Sequence, residues 1–412
     1  MLYKLEWRRA VNMVNIIKEM KKALIDLGGD AYLVGDYVRE KLIKPEVNIK
    51  KMKILYSEDI NELFKLFKEK LNYNIRFYNN KKVLIIENEG FIVEIWKLTF
   101  KSIEEYLENM DYTMNAVALK LTDNKIIDPY QGRIHIKRRI IQEINDKSIE
   151  KHPLSILKGI AYYMGYGMHF SINTELHIKE QSKNLKNKFG NTLLRELMHI
   201  INIDKNGVAF NILDQYSILE NILPYTKELK TIGKCKYHLE DAFTHMNAAY
   251  ELLKEIQAKK IELQGLDLEL LSEDMEGYKL IDFLALAVFV HDIGKFKNYK
   301  KVDNKVSFAG HEIAGENIMR EVCKQLDMPK AAQELICTVV EAHMYPLSLY
   351  KIKKNENEFK KELNKFFNKY SNYSIYIIIA SYCDILATNI YYDSQHKAEE
   401  YKIFIEELIE MK

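Results

Sequence analysis

The 412-residue sequence has few of the residues that cross-link a chain or loosen it. Its four cysteines include no close pair, so neither a disulfide framework nor a Cys-x-x-Cys metal site is indicated. We expect reduced, mostly buried thiols in a cytoplasmic protein. With only six prolines and 16 glycines, no long flexible linker is predicted. The net charge is +2, so any contact with nucleic acid would have to come from a local basic patch.

Long uninterrupted hydrophobic runs are also lacking at the start of the chain. The N-terminal segment MLYKLEWRRAVNMVNIIKEMKKAL carries a charge every few positions. This pattern predicts an amphipathic helix rather than a signal peptide or a membrane span. We therefore expect a cytoplasmic location and no membrane partner. The oligomeric state is not indicated by the sequence.

The secondary-structure pattern changes along the chain. Strand-like runs such as AYLVG, MKILYS and KVLIIENEGFIVEIW lie among helices in the first 145 residues, and ENEG is a hairpin turn signal. After about residue 150, apolar residues follow helical spacing. Polar stretches near 145–150 and 227–236 suggest boundaries. The prediction is an α+β protein with a small mixed-sheet head (1–148), a helical neck (149–232) and an all-α domain (233–412).

Titratable residues occupy unusual positions in the C-terminal part. His291 and Asp292 end the apolar run FLALAVFV, and Asp384 follows YIIIASYC. A charged group at the end of a buried helix is costly unless it is paired or binds a metal. One such residue is more often a satisfied core histidine. Six such residues lie on five successive helical segments, namely His245, His291, Asp292, His311, His343 and Asp384. So many titratable residues favour a role as ligands for one or two divalent ions, which could be Mn, Fe, Zn, Ni or Mg.

This pattern, with HDIGK around the doublet, resembles the HD superfamily of metal-dependent phosphohydrolases. The resemblance implies that one ion is held by His245, His291, Asp292 and Asp384. A second ion would be held with the help of His311 and His343. The implied chemistry is hydrolysis of a phosphoester, with Asp292 and Lys295 as catalytic residues. Lys295 is either a phosphate contact or a solvated lysine after the helix end.

The first two hundred residues resemble another family. AYLVGDYVREKLI, MDYTMNAVALKL, IIDPYQGRIHIKRRII and HPLSILKGIAYYMGYGMHF follow, in order, the blocks of the bacterial class II tRNA nucleotidyltransferase and poly(A) polymerase family. In one branch of that family an HD domain follows the head and the neck. The resemblance therefore covers almost the whole chain. It implies a nucleotidyltransferase-like head, built as a small mixed sheet with flanking helices, and then a helical neck.

The catalytic positions of the head depart from that family. Nucleotidyl transfer of this kind needs two carboxylates, two residues apart on a strand, to hold metal ions. The best match places Lys51 and Lys53 there, and Glu94 matches a third carboxylate. Two lysines repel a metal ion. Asp36 also stands where the family has the second glycine of a turn. The head is therefore predicted to be degenerate and inactive as a transferase.

Other residues of the head are candidates for contacts with a nucleotide or RNA. Motif positions that are retained, most of which also serve turns and folding, are Gly35, Arg39, Glu94, Asp111 and Asn115. The segment RIHIKRRI concentrates four basic residues, which form either an ordinary solvated face or a contact with the backbone of tRNA or other RNA: Arg133, Lys137, Arg138 and Arg139.

Three functions remain open from the sequence. The main interpretation is a metal-dependent phosphohydrolase, acting at the HD site on a phosphomonoester, a nucleotide or a 2′,3′-cyclic phosphodiester. The first alternative is an active tRNA nucleotidyltransferase of the CCA-adding or poly(A) polymerase type. The second is a non-enzymatic protein that binds RNA or nucleotides.

Overall fold

The computed structural model describes residues 2–71, 73–88, 90–187, 190–233, 240–302, 305–388 and 395–412. The chain divides into two compact units. The first unit consists of Met1–Ser155 and Tyr166–His177, and the second of Ile156–Gly165 and Ile178–Lys412. The last three residues of the predicted boundary near 227–236 lie outside the described ranges, as does Cys235. The three-domain division with boundaries at 148 and 232 thus stays a prediction.

The first unit is built on a seven-stranded mixed sheet, whose strands are β1 Ala31–Val34, β2 Lys51–Tyr56, β3 Asn74–Tyr78, β4 Val83–Asn88, β5 Phe91–Lys97, β6 Ala118–Lys120 and β7 Ile126–Ile127. Their order in the sheet is β3-β4-β5-β2-β1-β6-β7. Only the pairing of β2 with β5 is parallel among these strands. The predicted hairpin around ENEG is confirmed as the turn between β4 and β5.

Alternation along the strands gives the sheet two different faces. On β2, Met52 and Ile54 belong to an apolar cluster with Leu63 and Phe67 of the helix Ile60–Lys70. The intervening positions, including Lys51 and Lys53, point to the opposite face. The early helices are α1 Leu2–Leu27, α2 Asp36–Ile43, α3 Ile60–Lys70, α4 Ile103–Glu108, α5 Gly132–Lys137 and α6 Ser148–Lys151.

Two helices and a short strand pair follow the head. A parallel bridge joins β8 (Ile140–Ile141) to β9 (His169–Phe170). The helices are α7 Ser155–Tyr166 and α8 Ile172–Gln181, with a 3₁₀ segment at Ser182–Asn187. Further along lie α9 Asn191–Ile203, α10 Ala209–Gln215, α11 Leu219–Ile222 and α12 Thr226–Leu229.

The C-terminal part is predominantly helical. All eleven residues of one helix, Leu280–Val290, are buried, so its predicted place in the core is confirmed. The helices are α13 Ala242–Gln257, α14 Leu280–Val290, α15 Lys295–Asn298, α16 His311–Gln325, α17 Lys330–Ala342, α18 Tyr345–Ile352, α19 Glu356–Lys369, α20 Ser374–Leu386 and α21 Gln395–Glu410. Among these described helices, none combines the length and apolarity needed to cross a bilayer.

Two short hairpins modify the prediction of an all-α C-terminal domain. The first pairs β10 (Asp274–Met275) with β11 (Tyr278–Lys279), and the second pairs β12 (Lys300–Val302) with β13 (Lys305–Ser307). Their strands of two or three residues are too short for a periodic pattern to show in the sequence. The α+β class and the helical C-terminal region are confirmed.

Candidate metal centre

Five helices of the second unit bring the six predicted ligands together. His245 lies within α13, His291 and Asp292 directly follow α14, and Asp384 lies near the end of α20. His311 begins α16 and His343 follows α17. The apolar sides of α13, α17 and α20 pack against the buried α14, which draws these helix segments to one point. All six side chains are buried.

Four of the residues form a first ligand group. His245, His291, Asp292 and Asp384 offer ligand atoms that all lie within 4.8 Å of one another. The Nε2 atom of His245 is 2.8 Å from Oδ1 of Asp384 and 3.3 Å from Nε2 of His291. The Nε2 atom of His291 is also 3.3 Å from Oδ1 of Asp384. This is the geometry of a compact site with two imidazoles and two carboxylates.

Asp292 also belongs to a second group, with His311 and His343. Its Oδ1 atom is 3.1 Å from Nε2 of His311 and 3.9 Å from Nε2 of His343. Its Oδ2 atom faces the first group, at 3.3 Å from Nε2 of His291 and 3.5 Å from Nε2 of His245. The two oxygens of one carboxylate therefore face two sets of histidines, so Asp292 could serve as a ligand in both groups.

Hydrogen bonds to the main chain orient three of the rings. The Nδ1 atoms of His291, His311 and His343 lie 2.7 Å, 3.0 Å and 2.8 Å from the carbonyl oxygens of the residues three positions earlier. A carbonyl oxygen only accepts, so Nδ1 donates, and the Nε2 of a neutral ring then carries a lone pair. Such a hydrogen bond is the usual support for a histidine that binds metal through its other nitrogen.

The second pair of histidines provides a test of whether a cation fits. The Nε2 atoms of His311 and His343 lie 3.4 Å apart. With both rings neutral and Nδ1 protonated, two lone pairs face each other, which is favourable only with a cation or proton between them. Burial, followed by the charge of His291, lowers the pKa of His343 to about 3, which keeps that ring neutral. The donor set therefore fits a divalent ion.

The carboxylates make the centre attractive to positive charge. Burial alone would lower the pKa of His291, but Asp292 and Asp384 raise it to about 10, so Nε2 of this ring holds a proton that a bound metal ion would displace. Burial opposes ionisation of Asp292 as well, yet Lys295 and His291 hold its pKa well below the usual range. The pKa of Asp384 is also well below its ordinary value, because His245 and His291 outweigh the effect of burial. Both acids are thus anionic, as metal ligands must be.

Lys295 is not a solvated lysine. It is buried, its ammonium group forms an ion pair with Oδ2 of Asp292, and it lies 5.3 Å from the ring centre of Phe308. The alternative that placed it in solvent after the helix end is therefore wrong. The short α15 begins at Lys295, and its first turn directs this side chain back toward the centre.

Gly294 is a structural contributor that the ligand pattern alone does not reveal. A Cβ atom at this position would lie 2.0 Å from the carbonyl oxygen of His311 and 2.4 Å from the main-chain nitrogen of Gly315. Only glycine allows α16 to approach so closely behind the doublet. The glycine of HDIGK is the sequence signal that could have indicated this contact.

In the head, the three positions that the sequence match assigns to metal-binding carboxylates include an ion pair. Lys51 and Lys53 on β2 and Glu94 on β5 share the face of the sheet opposite the apolar cluster. The Nζ atom of Lys51 is 2.7 Å from Oε1 of Glu94, and Oε2 of Glu94 accepts a hydrogen bond from Nε1 of Trp96. Lys53 lies 5.3 Å from the ring centre of Trp96, and its Nζ is 3.3 Å from the hydroxyl of Tyr106.

The retained motif residues of the head form a polar network around the turn after β1. Gly35 has a φ of 71° and precedes α2. Arg39 is buried and donates to Asp36 and to Oδ1 of Asn115, both at 2.8 Å. Nδ2 of Asn115 donates to Oδ1 of Asp111 at 2.6 Å. These contacts account for the residues as supports of the fold, and a role in binding a nucleotide stays a prediction.

The four basic residues of RIHIKRRI lie on the surface. Arg133 and Lys137 are on α5, and Arg138 and Arg139 follow it, all four exposed. Arg139 has a φ of 57°, which ends the helix and leads the chain into β8. Their exposure is compatible with both a solvated face and an RNA contact, so the RNA contact stays a prediction.

Comparison with known proteins defines the class of the C-terminal part. Residues 243–389 match the HD domain, so the chain carries an HD domain that contains the whole ligand cluster. An A-adding tRNA nucleotidyltransferase from Deinococcus radiodurans is 22% identical over 254 residues, which are 60% of this chain and 54% of the relative. A multifunctional CCA protein from Pseudoalteromonas atlantica is 23% identical over 343 residues, covering 78% of this chain and 77% of the relative.

Solved structures show the same fold over almost the whole chain. The CCA-adding enzyme of Thermotoga maritima in complex with tRNA has a TM-score of 0.66 and 17% identity, covering 98% of this chain and 84% of the other. A tRNA-processing enzyme has a TM-score of 0.64 and 15% identity, covering 94% of this chain and 98% of the other. The predicted resemblance to nucleotidyltransferases with a C-terminal HD domain is confirmed.

These likenesses bear differently on the predicted functions. The chain spans about half the length of the first curated relative it matches. The relatives carry the names of tRNA nucleotidyltransferases and CCA proteins, which favours the first alternative over a phosphohydrolase with an inactive head. The HD domain and the possible metal ligands support the expectation of a divalent metal, whose identity they leave open.

Proposed function

We propose that this chain is a metal-dependent phosphohydrolase that works at the HD cluster and retains a nucleotidyltransferase-like head as a scaffold. The observation that carries the proposal is the double ligand group around Asp292, in which all six predicted ligands are buried and orient toward one another. The substrate class is a phosphomonoester, a nucleotide or a 2′,3′-cyclic phosphodiester.

The residues would act as follows. A bound divalent ion supplies Lewis-acid activation of a phosphoryl group and of water. His245, His291, Asp292 and Asp384 would hold one ion, and His311 and His343 would share Asp292 to hold a second. Asp292 fixes the spacing of the two groups through its two oxygens. Lys295, the buried cation beside Asp292, would contact a phosphoryl oxygen of the substrate.

Nucleotidyl transfer is the second candidate, since the named relatives favour it. Two observations on this chain oppose it. Lys51 and Lys53 stand at the positions that the sequence match assigns to the carboxylates of this chemistry, and Glu94 is already paired with Lys51. One remaining acid that is neutralised by a lysine cannot hold two metal ions.

One comparison of variants tests both candidates. Wild type and Asp292→Asn are assayed for bound metal, for hydrolysis of an aryl phosphate and a 2′,3′-cyclic nucleotide, and for addition of labelled CTP or ATP to a truncated tRNA. Asp282→Asn is the matched control, because Asp282 is also buried in this unit but outside the ligand groups.

We expect hydrolysis to fall at least about 100-fold in Asp292→Asn, as for the loss of a key catalytic group, and to persist in Asp282→Asn. Label transferred to tRNA by wild type and by Asp292→Asn alike would instead establish the transferase. Metal binding and RNA or nucleotide binding without either reaction would favour the non-enzymatic alternative.

A further inference from the structure

A second group of possible metal ligands lies in the first unit, apart from the HD cluster. Glu143, Asp146 and His177 offer ligand atoms that all lie within 4.8 Å of one another. All three residues belong to the first unit, whereas the six candidate ligands around Asp292 belong to the second. None of the three takes part in the proposed hydrolysis, so their role is independent of that reaction.

Two segments of the chain bring these residues together. Glu143 follows β8, and its main-chain N–H donates to the hydroxyl of Thr174 on α8 at 3.0 Å. His177 lies three positions after Thr174, so the two share one face of α8. Asp146 follows Glu143 in the segment that leads into α6. The contact between Glu143 and His177 thus joins positions that are 34 residues apart in sequence.

The carboxylate of Glu143 is only half satisfied by its neighbours. Its Oε1 atom is 2.8 Å from Nδ1 of His177. Its Oε2 atom is buried and has no hydrogen-bond partner among the residues that the structure describes. Only 3% of Glu143 is exposed, and a buried carboxylate oxygen without a partner is costly. A bound ion is one of the few arrangements that would satisfy such an atom.

The charges around Glu143 also favour a cation. Burial raises the pKa of Glu143, His177 opposes this shift without cancelling it, and Asp146 raises the pKa further. Two carboxylates therefore face a single imidazole, and this group of residues carries more negative than positive charge. A divalent ion between them would offset both the repulsion between the two acids and the cost of burying one of them.

We propose that Glu143, Asp146 and His177 bind a zinc ion. Imidazole nitrogen and carboxylate oxygen are both zinc ligands, and three protein ligands leave a fourth position for water. The imidazole also favours zinc over manganese or magnesium. Zinc would take the place of the proton between Nδ1 of His177 and Oε1 of Glu143, and that proton would be released to solvent. Asp146 is exposed and gives the ion a route of entry.

The position of the site in the chain indicates what the ion would do. Glu143 and Asp146 precede α7, and His177 comes after it. The chain passes from the first unit to the second after Ser155 and again after His177. Zinc would therefore link the segment after β8 to α8, close in sequence to both of these crossings, and would stabilise the first unit when it binds.

Equilibrium dialysis of the full chain against zinc tests this proposal. Glu143→Gln keeps the size of the side chain and can still accept a hydrogen bond from His177, and Asp146→Asn changes an exposed residue, so both variants should fold. His169→Gln and Glu150→Gln are the matched controls, because they remove an exposed histidine and an exposed acid of the same unit outside the ligand group. The HD cluster is unaltered in all four variants, so zinc bound there contributes equally.

Zinc is added to the purified chain, because three ligands, one of them exposed, hold an ion less tightly than the HD cluster and lose it during purification. We expect one zinc ion to bind at least about tenfold more weakly in Glu143→Gln and in Asp146→Asn, and both controls to match wild type. The Cε1–H NMR signal of His177, identified by its absence in His177→Gln, should shift when zinc binds. Zinc binding that is equal in all variants, or a His177 signal that does not move, would overturn the proposal and leave an ordinary ion pair. The proposed hydrolase stands or falls separately, since none of these variants alters its ligands.

Discussion

Lys51 and Lys53 have partners on the face of the sheet that they occupy. Lys51 pairs with Glu94, and Lys53 lies against Trp96 and Tyr106. The three positions that would form an acidic site thus meet in space, as the match with the nucleotidyltransferase family implied. Their charges make a partly exposed ion pair and a cation–π contact, which stabilise the head modestly.

The exchange of both lysines for aspartate tests whether these two positions decide if the head can bind a metal ion. In an Asp292→Asn background, Lys51→Asp with Lys53→Asp should lower the free energy of unfolding by about 1 kcal/mol without metal, because an ion pair is lost and acids gather near Glu94. Manganese should then restore stability, as measured by the thermal midpoint.

The control for this prediction carries the same change in charge elsewhere. Lys44→Asp with Lys81→Asp alters two exposed lysines outside the ion pair of Lys51 with Glu94, and manganese should leave the thermal midpoint of this variant unchanged. If manganese stabilised both double variants equally, the acids at 51 and 53 would not form a metal site.

At the scale of elements, the metal centre depends on how closely α16 approaches the turn after α14. Gly294 and Gly315 allow that approach, since a Cβ at Gly294 would enter the backbone of α16 and one at Gly315 would lie 3.4 Å from the main-chain nitrogen of Gly294. Because His311 begins α16, the position of this helix sets the distance between the two ligand groups.

Gly294→Ala should therefore displace α16 and separate His311 from Asp292. We expect a loss of about 1–3 kcal/mol of stability from overpacking and fewer bound metal ions per chain, measured by thermal unfolding and by metal analysis. Gly165→Ala is the control, because a Cβ there meets only Cδ1 of Ile203 at 3.5 Å. Full metal content in Gly294→Ala would show that α16 can move without affecting the centre.

At the scale of the whole molecule, each unit has its own apolar core. The head is organised around both faces of its sheet, and the second unit around the buried α14. The six candidate ligands around Asp292 all belong to the second unit. Binding of metal at this cluster should thus be linked to the stability of that unit. The first unit has a further group of possible ligands, Glu143, Asp146 and His177, of which Asp146 is exposed.

Removal of metal from the wild-type chain tests this linkage. A ligand present at about 100 times its dissociation constant stabilises by about 2.7 kcal/mol, so a chelator should lower the calorimetric transition of the second unit by several degrees. The transition of the head should stay in place, and Asp292→Asn should show no response to chelation. A shift of both transitions would place metal in the head as well.

The sequence by itself determined the fold class, the HD domain and the identity of the six ligand candidates. Helical spacing and apolar runs report burial directly, and a titratable residue at the end of such a run is conspicuous because its burial is costly. The lysines at the matched positions of the head were equally visible, and the prediction that they exclude a metal ion needs only their charge.

Only the tertiary structure decided how these residues are used. It placed the two oxygens of Asp292 toward different histidines, buried Lys295, and showed that Gly294 admits the backbone of α16. It also brought Tyr225 next to Phe296, although 71 positions of sequence separate them. Such contacts join side chains from helices that are distant in sequence, and their distances follow from packing, which no local pattern encodes.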